Sequence, residues 1–167
     1  IRDYVRSRSN FTAIDIQLTT NVNVNDTCNA NFNPSNLTIN FFRAGAGCNN
    51  TAFSSVVAHE YGHFIVNRLG LGQGGFGEGF SDTCSMGLFD DPIIGRNFFT
   101  NGGVIRTPDS ANQQSPCTST AVHTSGQIIG NVFWEMRKNL AARYGDVIGS
   151  NSGTGFTILR DHHVDWM

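Results

Sequence analysis

The densest chemistry in the chain lies in five consecutive residues, His59-Glu60-Tyr61-Gly62-His63. Two imidazoles four residues apart sit one turn apart on a helix, so both project from one face and can meet a single tetrahedral Zn²⁺. Glu60 follows the first histidine and leans over such a metal without ligating it, the position of a general base for a metal-bound water. A third protein ligand is needed if one coordination position is to stay open. Glu78, in Gly77-Glu78-Gly79-Phe80-Ser81-Asp82, is the candidate. Glu78 and Asp82 are four apart and share a helical face. Glu78 would bind the metal, while Asp82 accepts the second ring N–H of a ligating histidine. The plain alternative for this pair is a solvated acidic helix start favoured by the helix dipole.

These side chains need elements to carry them. Phe53, Val56, Val57, Phe64, Ile65 and Leu69 recur at helical spacing across residues 51–69, and Gly70 stops the pattern. Residues 11–18 alternate loosely and read as a strand, residues 19–27 as a turn-rich connection, and residues 37–42 as a second strand broken by Gly45 and Gly47. Six glycines in residues 70–79 predict a mobile loop on the rim of a cleft. With no Lys and no preceding strand, it is not a phosphate loop. Residues 80–88 resume a helix ended by Asp90-Asp91-Pro92, a helix stop that is also a weak Ca²⁺ candidate. Residues 100–120 form a polar ordered loop. Residues 125–144 are a second strong helix, with Ile128, Ile129, Val132, Phe133, Met136 and Leu140 facing inward and Gly145 as its stop. Residues 156–167 are strand-like or helical and break off as if sequence continued, with His162-His163 read as a surface pair. The expectation is one α+β domain over residues 1–167. Residues 1–69 give a small sheet with an edge strand plus the helix bearing the histidines, and 70–167 a mainly helical, truncated lobe.

Composition narrows the function classes. The 167 residues carry net charge −2, with 11 basic against 13 acidic side chains, which excludes the basic excess of a nucleic-acid binder. No apolar run approaches the ~20 residues that span a bilayer. Thirteen Phe, two Trp and three Tyr argue against disorder. Ile1 at the start indicates a processed product or an excised piece, and sparse charge with Asn-, Ser-, Thr- and Gly-rich loops favours a secreted or extracytoplasmic protein, expected as a monomer. Four cysteines allow three pairings. Cys28–Cys48 and Cys84–Cys117 are expected because each pair brackets one segment, the alternative being four reduced, buried thiols.

The arrangement His-Glu-x-x-His followed by Glu78-Gly79-Phe80-Ser81-Asp82 resembles the gluzincin metallopeptidases, in particular the thermolysin and fungalysin group. A metzincin arrangement is excluded, since Val66 and Leu69 stand where it requires Gly and His. The resemblance implies a zincin-like fold and a zinc-dependent endopeptidase acting on peptide or protein substrates. It further implies that Asn29-Ala30 is an edge segment pairing with the substrate backbone, and that Val56 lines a pocket. Ile105-Arg106 would line the primed side, with Arg106 reaching a substrate carbonyl, and His123, in Val122-His123-Thr124-Ser125-Gly126, would stabilise the transition state. No Tyr lies between His63 and Glu78 to act as the group's second oxyanion donor, and Ser55 replaces a calcium-ligand carboxylate, so no motif supports Ca²⁺. A catalytically degenerate zincin that binds peptides, and a disulfide-stapled extracellular domain with an accidental histidine pair, are the competing readings.

Overall fold

The chain is described here by a computed structural model covering residues 1–7, 9–109 and 119–165. Its elements are helix α1 (Arg2–Arg6), a 3-10 turn (Thr12–Ile14), strands β1 (Thr19–Val24), β2 (Ala30–Asn33) and β3 (Thr38–Phe42), and helices α2 (Ser54–Arg68), α3 (Gly74–Phe89), α4 (Val122–Tyr144) and α5 (Thr154–Asp165). The architecture is therefore α+β, a small sheet followed by a mainly helical remainder. Among the described residues no helix is long and apolar enough to cross a membrane.

Period-two patterning builds the sheet. Ile39 and Phe41 of β3 and Ala30 of β2 are buried against Val56 of α2. Strand order is β1-β3-β2, with β1 parallel and β2 antiparallel to β3. On the opposite face the amides of Asn21, Asn40 and Asn31 form a ladder across all three strands, each hydrogen bond 2.8 Å long. That ladder explains a displaced strand. The apolar 11–18 segment is not extended but gives the short 3-10 turn, whose Ile14 is fully buried beside Phe64 and Ile65 of α2. The polar residues 19–24 make the strand instead. Backbone pairing to β3 and amide bonding across strands override the apolar pattern.

Helix α2 buries most of its circumference, including Val56, Ala58, His59, Glu60, Gly62, Phe64, Ile65 and Val66. It lies between the sheet and α3. The two helices approach closely because Gly62 faces Ser81, whose Cα would stand only 2.6 Å from a Cβ added at Gly62. The glycines expected to form a loop serve the same purpose. α3 begins at Gly74, and Gly79 packs backbone to backbone against Gly126 of α4, where an added Cβ would lie 2.7 Å from Gly79 N and 2.8 Å from Glu78 Cβ. Only residues without a side chain permit that approach, so tertiary packing turns a glycine-rich segment into helix.

Two further expectations change. His163 is not at the surface: it is buried, its Nδ1 3.1 Å from Tyr4 Oη and its Nε2 2.9 Å from Thr83 Oγ1, joining α1, α3 and α5. Cys28 and Cys48 form the expected disulfide, with Cα atoms 5.3 Å apart. Cys84, by contrast, is a free, buried thiol, because α3 turns it into the cluster of Val5, Ile14, Phe64 and Phe80. Its expected partner Cys117 lies outside the described residues, as does much of the 100–120 loop.

Candidate metal centre

α2 contributes His59, Glu60 and His63, α3 contributes Glu78 and Asp82, and the first turn of α4 contributes His123. Arg106 comes from the segment between α3 and α4, fixed by an antiparallel bridge in which Ile94 N–H donates to Arg106 O at 3.0 Å and Ile105 N–H to Ile94 O at 3.0 Å. Close helix approach at Gly62 and at Gly79 brings these elements to one point. His59, His63 and Glu78 each offer a ligand atom within 4.8 Å of the others, a group that could hold a metal ion.

The donor set fits a tetrahedral dication. His59 Nε2 lies 3.1 Å from His63 Nε2 and 3.3 Å from Glu78 Oε2, and His63 Nε2 lies 3.6 Å from Glu78 Oε1. Ligands bonded at about 2.0–2.1 Å around a tetrahedral centre stand about 3.3–3.4 Å apart, so the observed spacing brackets that edge. Hydrogen bonding on the far sides of the rings adds a second test. His59 Nδ1 is 2.8 Å from Asp82 Oδ1, and His63 Nδ1 is 2.7 Å from Gln73 Oε1. Both Nδ1 atoms therefore donate, and in the neutral rings both Nε2 atoms present lone pairs to the same point. Glu78 Oε2 is buried there without a hydrogen-bond partner among the described residues. Two Nε2 atoms facing each other beside a carboxylate oxygen without a hydrogen bond call for a cation between them, either a proton on His59 or a metal ion.

Electrostatics repeat that demand. Burial would lower the pKa of His59, but the hydrogen bond to Asp82 and the Glu78 carboxylate 3.3 Å from Nε2 outweigh it and lift the value to about 9. Burial and the neighbouring His59 hold His63 at about 4. In Asp82, burial is overcome by His59 and Arg106, which draw the carboxyl down to about 2. Glu78 is likewise lowered, its burial offset by the three histidines around it, whereas burial raises Glu60. Asp82, Glu78 and Glu60 thus share the site with Arg106 and, in the metal-free chain, with the proton that His59 holds; a dication among the three ligand atoms would take the place of that proton.

Every residue singled out for substrate contact lines one cleft of about 590 Å³ with the ligand group: Asn29, Ala30, Val56, Ile105, Arg106 and His123, together with Glu60. Asp82 lies behind it, fully buried. Ala30 belongs to β2, which among the described residues pairs with β3 on one side only. Arg106 is engaged already: its Nε and Nη2 donate to Asp82 at 2.8 Å each, and Nη2 comes within 3.4 Å of His59 Nε2 and 3.5 Å of Glu78 Oε2. His123 is exposed at the mouth, its Nε2 3.3 Å from Glu78 Oε2.

Gln73, Ile94 and Phe98 also line the cleft and were not visible in the sequence. Gln73 sits in the glycine-rich stretch without a periodic or motif signal. The apolar pair acquires meaning only once the 94–106 bridge is formed. No model of a known protein family matches the chain, and no curated protein does so.

Proposed function

We propose that this chain is the core of a zinc-dependent endopeptidase with a zincin-like fold, similar to the gluzincins of the thermolysin and fungalysin group. The observation carrying the reading is the convergence of His59 Nε2, His63 Nε2 and a Glu78 oxygen that makes no hydrogen bond, beside the buried carboxylate of Glu60. His59, His63 and Glu78 would hold Zn²⁺, which when bound supplies Lewis acidity and lowers the pKa of coordinated water toward ~7. Glu60, whose pKa is raised by burial, accepts a proton from the attacking water and passes it to the leaving amine. His123 donates to the oxyanion as it develops, a contribution of several kcal/mol in such sites. An extended peptide adds to the free edge of β2 at Asn29 and Ala30, with Val56 and Ile105 forming the apolar primed-side wall. Arg106 holds Asp82 against His59 and turns its Nη2 toward the cleft, in reach of a substrate carbonyl. The Cys28–Cys48 bridge supports an oxidising, extracytoplasmic setting.

The decisive experiment couples zinc quantification to casein hydrolysis, with and without chelator. One Zn²⁺ per chain and chelator-sensitive hydrolysis are expected. Glu60→Gln should keep the metal and lose about 10²–10⁴-fold in rate, the usual contribution of a positioned base. Undiminished hydrolysis in that variant refutes the mechanism. Zinc binding without any hydrolysis in the unmodified chain would favour the peptide-binding alternative instead.

A further inference from the structure

We infer that Gln73 is a positioning residue that sets the tautomer of His63 and docks the start of α3 onto α2, so that the three metal-binding side chains are preassembled. The inference rests on the metal-site reading above and extends it to a residue outside the ligand set.

The Gln73 side chain uses both ends of its amide on one residue. Its Nε2 donates to the backbone carbonyl of His63 at 3.0 Å, and its Oε1 stands 2.7 Å from His63 Nδ1. A carbonyl can only accept, so the first bond fixes which end of the amide is nitrogen. The oxygen must then face the ring, and Nδ1 must carry the proton. His63 Nε2 is left as the free lone pair aimed at His59 Nε2 and Glu78. No other described residue hydrogen-bonds His63 Nδ1. The two imidazoles are thus oriented by different means. His59 is held by an ionised carboxylate that is itself fixed by two bonds from Arg106. His63 depends on a single neutral amide.

That amide also belongs to the element bearing the third ligand. Gln73 immediately precedes α3, its backbone carbonyl accepts from Gly77 N–H, and Glu78 follows five residues on. Gly77 keeps the space the amide needs, since a Cβ there would lie 2.6 Å from Gln73 Oε1. One side chain therefore ties the ring of His63, the backbone of α2 and the first turn of α3. Loss of such an outer partner of a metal-bound histidine typically costs 10–100-fold in metal affinity.

The test compares the unmodified chain with Gln73→Leu, Gln73→Glu and Gly77→Ala. It reads ring ¹⁵N shifts of His63 in the metal-free protein and Zn²⁺ affinity against a competing chelator. Gln73→Leu should lose the Nδ1–H tautomer and about 10–100-fold in zinc affinity. Gln73→Glu keeps an acceptor for Nδ1–H and should retain the tautomer and most of the affinity. Gly77→Ala leaves the amide chemically intact but crowds its oxygen, and should shift both readouts toward those of Gln73→Leu. A Gln73→Leu variant with the original tautomer and affinity overturns the inference. If that variant fails to fold, an unchanged tautomer and affinity in Gly77→Ala overturn it equally. An unmodified chain that binds no zinc yet holds His63 as Nδ1–H would sink the peptidase reading and leave the role of Gln73 on the ring standing. His63 found as Nε2–H in the metal-free chain would sink that role whatever the zinc result.

Discussion

Among the described residues charge is buried around Arg137 and at the cleft, and the first of these clusters alone is completed. Around Arg137, which is 1% exposed, the guanidinium donates to Asp90 Oδ1 at 2.6 Å, Asp90 Oδ2 at 2.9 Å and Asp146 Oδ2 at 3.1 Å. The carboxylates are completed by backbone donors, Gly149 N–H to Asp90 Oδ2 and Phe156 N–H to Asp146 Oδ2, each at 2.8 Å. This closed cluster ties the end of α3 to α4 and to the connection into α5. At the cleft, Asp82 and Arg106 are similarly matched, but Glu78 Oε2 has no hydrogen-bond partner among the described residues and the two Nε2 atoms face each other at 3.1 Å. A buried ion cluster whose valences are all met does architectural work. One that stops short, in a cleft, is shaped around something else.

Deleting one member of each cluster should reverse the comparison between function and stability. Glu78→Ala is expected to abolish stoichiometric zinc binding. It removes the carboxylate that pairs with His59 and Arg106 but makes no hydrogen bond through Oε2, so it should lower the thermal midpoint of the metal-free protein less than loss of a member of the closed cluster does. Zinc titration and calorimetry on the same sample check both halves. Arg137→Ala is expected to do the opposite. It strands Asp90 and Asp146 and should cost about 3–5 kcal/mol in urea unfolding while zinc affinity per folded molecule stays the same. A loss of zinc affinity in that variant would show that the two clusters are coupled.

A neutral closed network sharpens the contrast at smaller scale. Burial holds the pKa of His163 at about 4, against 6.5 for the free group. The unfolded chain therefore binds the extra proton first. The stabilisation is complete above about pH 6.5 and is lost as pH falls toward 4, by about 3 kcal/mol over that window. His163→Leu should flatten this part of the metal-free stability profile. Subtracting the two profiles isolates His163 from His59, whose raised pKa acts with the opposite sign.

How much of this was legible in the sequence depended on the physics behind each feature. The helix over 51–69 and the shared face of Glu78 and Asp82 follow from a 3.6-residue period, which local sequence displays directly. The residues suggested by family resemblance, Asn29, Val56, Ile105, Arg106 and His123, do share a cleft with the ligand group. Hidden were features whose cause is a distant partner. Strand β1 forms from Thr and Asn because β3 offers it a ladder. α3 begins among glycines because α4 lies against it. His163 is internal because Tyr4 and Thr83 meet both ring nitrogens. Gln73 acts through an amide whose orientation is set only after α2 and α3 have docked.

The glycine content of α3 has a consequence for where such a site can be carried. Five of its sixteen residues are glycine, each about 1 kcal/mol worse than alanine in a helix interior. As a free peptide this segment would be unstructured, and grafted onto another scaffold it would not present Glu78 at the right height. The ordinary remedy, exchanging glycine for alanine, is closed at Gly79 by the backbone of Gly126, just as it is closed at Gly62 by Ser81. The geometry of the His59, His63 and Glu78 group therefore cannot be miniaturised into a helix pair or transplanted as a motif. It travels only with the α2–α3–α4 packing that makes these weak helices exist.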